Sequence, residues 1–191
     1  MKGILFKPDN IKAIVEGRKT QTRRRVNIDS LGWIYKGIFY GMAEFDHKDS
    51  NERISIRPRY QVGETVYIKE AWSSYGVPPN EKAFYKDEKG LDIKAVGWHT
   101  PLFMPEWAAR YFITITDIRA EKLQSITEED AKAEGAPEIF TIDNDQLLYP
   151  DVRGYRRGFL FLWNYINKDY QWESNLWVWV YGFKLNENNR L

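Results

Sequence analysis

The run Leu176-Trp177-Val178-Trp179-Val180-Tyr181-Gly182-Phe183 is apolar on both of the faces that a β-strand would present. This pattern is typical of a central strand, because only a strand that is covered on each side buries both sets of its side chains. Alternating apolar and polar residues predict further strands at 3–6, 33–45, 53–57 and 111–119. Strands therefore dominate the predicted fold.

Capping residues predict where a first helix begins and ends. Pro8 opens this helix, and Asp9 or Asn10 offers a side chain that can accept hydrogen bonds from free backbone N–H groups. Gly17 ends it, since glycine readily adopts the left-handed backbone conformation that closes a helix.

A second helix is predicted near the middle of the chain. Ser125 and Glu128 have the spacing of a capping box, in which a hydroxyl and a carboxylate satisfy the first free N–H groups. The helix runs to about Glu134, with Gly135 as its terminator. Residues 136–158 follow as a predicted long loop, the kind of segment that often forms a lid or a binding element.

A third helix is predicted at 159–166, where apolar residues recur at helical spacing. Strands and helices do not alternate along the chain, which argues against a doubly wound α/β sheet. The predicted fold class is α+β, and a mixed β-barrel with peripheral helices fits the pattern best. The length of 191 residues suits one domain, 1–191, with a core of its own.

Composition excludes several classes of protein. Hydrophobic residues make up 43% of the chain and charged residues 29%, which argues against disorder. Cysteine is absent and the two histidines, His47 and His99, lie far apart, so we predict no metal site and no cofactor. No apolar run approaches the ~20 residues of a membrane span, and the N-terminus lacks a signal-peptide pattern. A cytoplasmic protein without membrane contact is predicted.

The densest basic segment is Arg18-Lys19-Thr20-Gln21-Thr22-Arg23-Arg24-Arg25, in a chain whose net charge is only +1. Cations this close repel one another unless an anion or carboxylates compensate them. Alternation along a strand turns some of them toward the protein, where Glu70 and Glu134 are candidate partners. The alternative is a solvated basic turn.

Two carboxylates occupy costly positions. Glu70 shares a strand face with Val66 and Ile68, so it is predicted to point inward, where an unpaired carboxylate costs free energy. Glu134 lies at the end of the second helix, where the macrodipole disfavours negative charge, and Asp130 adds a like charge one turn earlier. A placement that costs stability is a hint of function, although a solvated surface glutamate remains the alternative.

Aromatic residues reach 16% of the chain, and some are candidates for stacking against a base. Trp72, Tyr75, Trp98 and Trp107 lie near predicted strand ends, where clefts form. Arg110 follows Trp107 by three residues and is expected to present a cation beside its ring. Core packing is the alternative for each ring.

The segment Gly17-Arg18-Lys19-Thr20-Gln21-Thr22-Arg23 resembles the signature of ASCH-domain proteins: a helix that ends in glycine, then Lys-Thr and an arginine. The chain is also similar to a longer branch of that family that is frequent in phage and prophage genomes. The matching pieces are Arg57-Pro58-Arg59-Tyr60-Gln61-Val62-Gly63-Glu64, Glu70-Ala71-Trp72, Met104-Pro105-Glu106-Trp107-Ala108-Ala109-Arg110, 123–135 and Trp177-Val178-Trp179-Val180. The resemblance implies a PUA-like barrel, with a cleft between the signature segment and the second helix.

Small bacterial ASCH proteins are N4-acetylcytidine amidohydrolases, and the resemblance implies that Lys19, Thr22 and Glu134 are catalytic. Positions 19 and 22 point to opposite faces of an ideal strand, so they converge only if the chain turns or bulges after Gly17. This chain carries insertions at about 28–60, 76–100 and 136–158 that the small enzymes lack, and these could enlarge, re-aim or block the cleft.

The leading hypothesis is a domain that binds RNA, single-stranded nucleic acid or a modified nucleoside, with amide hydrolysis as its possible reaction. The residues expected to contact the substrate are Arg23, Arg24, Glu70, Trp72, Trp107 and Arg110. A non-catalytic nucleic-acid binding module and a phage accessory protein that acts through protein contacts are the alternatives. The oligomeric state is left open.

Overall fold

The structure is a computed structural model that describes residues 1–28, 32–75, 82–85, 97–139 and 151–186. Its strands are β1 (Gly3–Leu5), β2 (Gln21–Arg25), β3 (Trp33–Phe39), β4 (Met42–His47), β5 (Arg53–Ile56), β6 (Thr65–Lys69), β7 (Trp72–Tyr75), β8 (Lys82–Tyr85), β9 (Phe112–Lys122) and β10 (Trp177–Leu185). Its α-helices are α1 (Pro8–Val15), α2 (Glu128–Ala133) and α3 (Gly154–Ile166). The predicted α+β class is confirmed.

The main sheet has five strands in the order β1-β6-β9-β10-β2. β1 pairs with β6 in parallel, and the other pairs are antiparallel. β10 is hydrogen-bonded on both sides, as its apolar sequence predicts. Its alternate residues bury into different cores: Trp179 and Tyr181 face the cluster that contains α1, whereas Val178 and Val180 face the cluster that contains α2 and α3.

The region 33–45, predicted as one strand, is a hairpin of β3 and β4, so that prediction is wrong. The chain reverses at Tyr40 and Gly41, where φ is 50° and 77°. The glycine supplies the left-handed turn that an alternating pattern alone does not reveal. β5 extends this hairpin to a three-stranded sheet, and β7 pairs with β8 in a separate ribbon.

Two predicted helix caps are corrected. Lys7 is the N-cap of α1 without a side-chain hydrogen bond, so neither Asp9 nor Asn10 caps it, although the helix does begin at Pro8. α2 begins after Thr127, whose hydroxyl accepts a hydrogen bond from the Asp130 N–H at 3.0 Å, and Ser125 precedes it in a 3₁₀ turn. Thr127 presents the same chemistry two residues later than the predicted cap.

Glu128 caps a different helix from the one predicted. Its carboxylate accepts hydrogen bonds from the N–H groups of Tyr155 and Arg156, in the first turn of α3, at 2.8 and 3.3 Å. α3 therefore begins at Gly154, within the predicted loop 136–158, of which 140–150 lies outside the described residues. This contact fixes the start of α3 against α2.

Gly17 and Gly135 end α1 and α2 with φ of 72° and 75°, as predicted. Parts of the predicted insertion 76–100 lie outside the described residues, and only 82–85 and 97–100 are described. No helix in the described ranges is long and apolar enough to cross a bilayer.

Candidate functional site

The basic segment after α1 lies directly against the end of α2. The N–H groups of Arg18 and Lys19 both donate to the Ala13 carbonyl, which closes α1. The Thr20 N–H then donates to the Ala133 carbonyl at 2.8 Å, and Lys19 and Glu134 form an isolated antiparallel bridge. The expectation that these two segments converge is confirmed.

Lys19 and Glu134 form a buried ion pair. The Lys19 ammonium donates to Glu134 Oε2 and to the Glu134 backbone carbonyl, each at 2.7 Å, and the side chains are 2% and 4% exposed. Burial lowers the pKa of Lys19, since removal from water disfavours the charged form, and the charges of Arg24 and Arg23 act in the same direction. The charge and hydrogen bond of Glu134 oppose the shift without reversing it.

Arg23 connects Glu134 to the rest of a buried polar network. Its guanidinium is fully buried and donates to Glu134 Oε1 and Asp130 Oδ2, both at 3.1 Å, and to Glu121. Arg119 binds Glu121 and Asp130 from the outer side. Asp117 also pairs with Arg119, at 3.2 Å. Lys19, Arg23 and Arg119 therefore stand against four carboxylates, and each of these cations has at least one acidic partner.

Gln21 and Asp130 complete the network. The Gln21 amide donates to Asp130 Oδ1 at 2.7 Å, and its carbonyl oxygen accepts from Arg23. Burial raises the pKa of Asp130, but the Gln21 hydrogen bond and the charges of Arg23 and Arg119 outweigh it and hold the pKa below its ordinary value. Asp130 is thus a fixed anion, and it holds Arg23 in position beside Glu134.

Thr22 lines the same cavity as Lys19 and Glu134, a space of about 80 Å³ that we call the Lys19 cavity. Lys19 precedes β2, which begins at Gln21, so the alternation of an ideal strand does not separate it from Thr22. Thr22 is 3% exposed, and within the described part of the chain its hydroxyl forms no hydrogen bond. The three residues expected to be catalytic therefore border one space.

Residues of α3 supply the apolar wall of the Lys19 cavity. Phe159, Trp163 and Ile166 line it, and the Arg23 guanidinium lies 5.6 Å from the Phe159 ring. The helical spacing of these residues predicts the helix but not its contact with the basic segment, so sequence reasoning missed them as site residues. That contact depends on how α3 packs against α2.

Arg24 forms none of the carboxylate contacts that its neighbour Arg23 forms. It donates to the Leu5 carbonyl at 2.6 Å and lies over the Phe6 ring at 5.2 Å. Among the described residues no carboxylate pairs with it. Burial lowers the pKa of Arg24, and the charge of Glu134 opposes this; the guanidinium still stays charged at neutral pH.

Glu70 and Arg110 lie at a different place. Glu70 is buried, as predicted, but its partner is Arg110, at 2.9 and 2.7 Å, and not the basic segment. This corrects the expectation that Glu70 compensates the cations at 18–25. Both residues line an apolar cavity of about 450 Å³ beside α1.

Trp72 and Trp107, which were predicted to contact substrate, do not line the Lys19 cavity. Trp72 is buried with Tyr85 and Met104, and Trp107, half exposed, meets it edge-on with ring centroids 5.5 Å apart. The Arg110 guanidinium lies over the rings of Tyr85 and Tyr111, at 4.1 and 4.8 Å. Of the predicted contact residues, only Arg23 and Arg24 line the Lys19 cavity.

No protein-family model matches the chain, and no curated protein matches it. Among solved structures, the crystal structure of protein EF3133 from Enterococcus faecalis V583, described with the family DUF984, aligns with a TM-score of 0.41 and 12% sequence identity. The alignment covers 92% of this chain and 65% of that one, so this chain spans less than two thirds of its length. A likeness at this TM-score supports no inference about function.

Proposed function

We propose that this chain is a PUA-like barrel domain that binds RNA or a modified nucleoside and hydrolyses an amide on the base, as in N4-acetylcytidine. The observation that carries the proposal is the buried Lys19–Glu134 pair with Thr22 bordering the same cavity. A hydroxyl can serve as a nucleophile, a lysine beside it as the base, and a carboxylate as a proton shuttle.

In the first step, neutral Lys19 accepts the proton of the Thr22 hydroxyl while Thr22 Oγ1 bonds to the amide carbonyl carbon. Burial favours the neutral amine, because it lowers the pKa of Lys19. Arg24, a cavity residue with no carboxylate partner in the described ranges, stabilises the negative charge that develops on the carbonyl oxygen.

In the second step, the carbon–nitrogen bond breaks and the amine leaves. The proton on Lys19 passes to Glu134, 2.7 Å away, and from there to the leaving nitrogen. Water then attacks the acyl-Thr22 ester, gives its proton to Lys19, and the Thr22 oxygen recovers a proton as it leaves. The products are one carboxylic acid and one amine, so the reaction balances with water as the second reactant.

The size of the Lys19 cavity limits what enters it. About 80 Å³ holds a few groups the size of water, whereas sites for whole small molecules span about 300–1,000 Å³. Only the acyl end of the substrate therefore occupies this cavity, and the sugar stays outside it. Short acyl groups are the preferred substrates.

A non-catalytic binding module is the second candidate. The observation that favours it is the complete pairing of the network, since Lys19 and Glu134 already satisfy each other. In that case the pair supports the cavity wall and the cleft holds a base without turnover.

Replacement of the Thr22 hydroxyl separates the two candidates. Thr22→Val keeps the shape of the side chain and removes a hydroxyl with no hydrogen bond among the described residues, so the fold should be retained. Acetate release from N4-acetylcytidine should fall by at least about 1,000-fold, and Thr22→Ser should recover part of it. Wild-type protein that releases no acetate, or a Thr22→Val variant that is as active as wild type, contradicts the hydrolase.

The pH profile tests the role of Lys19. Its amine must be neutral to act as the base, so kcat/KM should rise with pH until Lys19 is deprotonated and then level off. The midpoint should lie below the ordinary lysine value of 10.5, because burial lowers the pKa. An activity that does not change from neutral pH to pH 10 and survives Lys19→Met would remove Lys19 from the reaction.

A further inference from the structure

A second cavity, of about 570 Å³, lies beside the Lys19 cavity and is lined by cations from three parts of the chain. We call it the arginine cavity, and its cations are Arg24 and Arg25 of β2, Arg57 and Arg59 of the segment after β5, and Lys69 of β6. Arg24 and Arg25 line both cavities. The two spaces therefore meet at one strand.

In the described ranges, the cations of the arginine cavity form no ion pairs. Among the residues that the structure describes, no aspartate or glutamate lines it and none of its five cations pairs with a carboxylate. The Lys19 network, by contrast, matches each cation with an acid. Cations that share a cavity without acids repel one another. Binding of an anion there reduces this electrostatic repulsion and so stabilises the folded protein.

The tyrosines in the wall add no negative charge. Burial raises the pKa of Tyr60, and it raises that of Tyr181 to about 12. Both phenols stay protonated at neutral pH. The Tyr60 hydroxyl donates to the Gly3 carbonyl at 3.0 Å, and the Tyr181 oxygen accepts from the Arg59 N–H at 3.1 Å.

Several of the cations are held in place by the backbone. The Lys69 ammonium donates to the Leu102 carbonyl at 2.8 Å, and Arg24 donates to Leu5. Arg25, Arg57 and Arg59 are exposed. The Arg25 guanidinium packs over the Tyr170 ring at 3.9 Å, and that of Arg59 lies 5.7 Å from the Tyr60 ring. The guanidinium forks suit phosphate oxygens, which they bind with paired hydrogen bonds.

We propose that the arginine cavity binds the phosphate groups of a single nucleic-acid strand, so that the substrate is a nucleotide within a chain and not a free nucleoside. The choice of a nucleotide ligand rests on the proposed function, because Arg24 and Arg25 connect this cavity to the one that takes the acyl group. A volume of about 570 Å³ fits a nucleotide or two but not a duplex.

The cavity does not read sequence. Its aromatic side chains, Tyr60, Trp179 and Tyr181, are each at most 5% exposed and offer no ring face for a base to stack on. Recognition is through phosphates, which carry no sequence information. Strands of different sequence should therefore bind alike.

Fluorescence anisotropy with a labelled ten-nucleotide oligouridine tests the proposal without any acylated base. Wild-type protein should bind the oligonucleotide, and its affinity should fall as KCl is raised. The double variant Arg57→Gln/Arg59→Gln should bind roughly ten-fold more weakly, and its plot of log K against log [KCl] should be shallower by about 1.4, or about 0.7 for each lost contact.

The matched control removes the same charge elsewhere. Lys48→Gln/Arg53→Gln changes two exposed cations of the β4–β5 hairpin that do not line the cavity. It should bind like wild type, since net charge alone is not the cause. An equal loss in both double variants, or no loss in the cavity variant, overturns the proposal, and so does equally tight binding of poly-glutamate, which carries no phosphate.

Two further measurements separate this site from the hydrolase. Thr22→Val should bind oligouridine like wild type, because the phosphate contacts do not need the hydroxyl. For wild type, KM should be at least about ten-fold lower for N4-acetylcytidine in a short single strand than for the free nucleoside. Oligouridine binding without any acetate release supports the cavity and refutes the hydrolase, whereas hydrolysis of the nucleoside without oligouridine binding refutes the cavity.

Discussion

Arg23 and Arg24 are consecutive residues of β2, yet the fold gives them opposite electrostatic surroundings. The Arg23 guanidinium is enclosed by Glu121, Asp130 and Glu134. Arg24 points to the other face of the sheet, where its hydrogen bond goes to a backbone carbonyl. The same residue type therefore belongs to a paired network on one face and, on the other, lines a cavity in which the described cations form no ion pairs.

The two regions are suited to different chemical tasks. A buried network of ion pairs fixes side chains and shifts their pKa values, which suits proton transfer at Lys19. A cavity whose cations form no ion pairs with the described residues keeps its attraction for an external anion, which suits binding. Charge compensation, and not the number of arginines, distinguishes the proposed reaction site from the proposed phosphate site.

The largest expected effect is on stability, and it compares these two neighbours directly. Arg23→Met leaves three buried or half-buried carboxylates without their shared cation and should lower the free energy of unfolding by about 3–5 kcal/mol. Arg24→Met should change it by less than about 1 kcal/mol, since the lost hydrogen bond is offset by relief of repulsion. Urea denaturation measures both.

An equal loss of unfolding free energy in the two variants would contradict this expectation, because both arginines would then stabilise the fold to the same degree. A variant of Arg23 that is too unstable to purify agrees with the expectation only if Arg24→Met remains folded under the same conditions.

An intermediate effect is expected from Tyr181 at high pH. Its pKa is raised to about 12 in the folded protein, whereas an unfolded tyrosine has the ordinary value of 10.0. Above pH 10 the unfolded chain loses this proton first, so the contribution of Tyr181 is present below pH 10 and declines as pH rises through 12. The decline should amount to about 2 kcal/mol.

Tyr181→Phe supplies the reference for that measurement. The variant has no proton to lose at this position, so the stability difference between wild type and variant should shrink from pH 9 to pH 12. A constant difference would mean that Tyr181 ionises with the ordinary pKa, and that the wall of the arginine cavity gains negative charge in that range.

The smallest expected effect is stabilisation by inorganic phosphate. Phosphate that binds the folded arginine cavity should raise the free energy of unfolding by about 1 kcal/mol when its concentration is about five times its Kd. Chloride at the same ionic strength is the salt control. Arg57→Gln/Arg59→Gln should lose this gain, and a variant that keeps it would place the phosphate elsewhere.

Local signals in the sequence predicted most of the main sheet and the helix ends. β10 was predicted from a run that is apolar on both faces, and Gly17 and Gly135 from the left-handed backbone that ends a helix. The hairpin of β3 and β4 was missed, because Tyr40 and Gly41 interrupt the alternation too briefly to signal a turn. The Ser125 cap was wrong because Thr127 offered the same hydroxyl nearby.

The charges of individual residues also indicated part of the site. Glu134 and the basic segment were expected to meet, because buried cations need acids and an acid at a helix C-terminus needs a cation. The partner of Glu70 could not be predicted, since Arg110 lies forty residues away and several cations were equally plausible. The ASCH resemblance, the barrel and the roles of the site residues stay predictions.

Three features follow from local chemistry along the chain: a central apolar strand, helices that end at glycine, and a basic segment that requires acidic partners. The packing of distant elements set which carboxylate pairs with which cation, brought Glu128 to the start of α3, and gave the arginine cavity Arg24 but not Arg23. The physical reason is range. Periodicity and capping act over a few residues, whereas charge pairing joins side chains that only the packing of distant elements brings within a few ångströms.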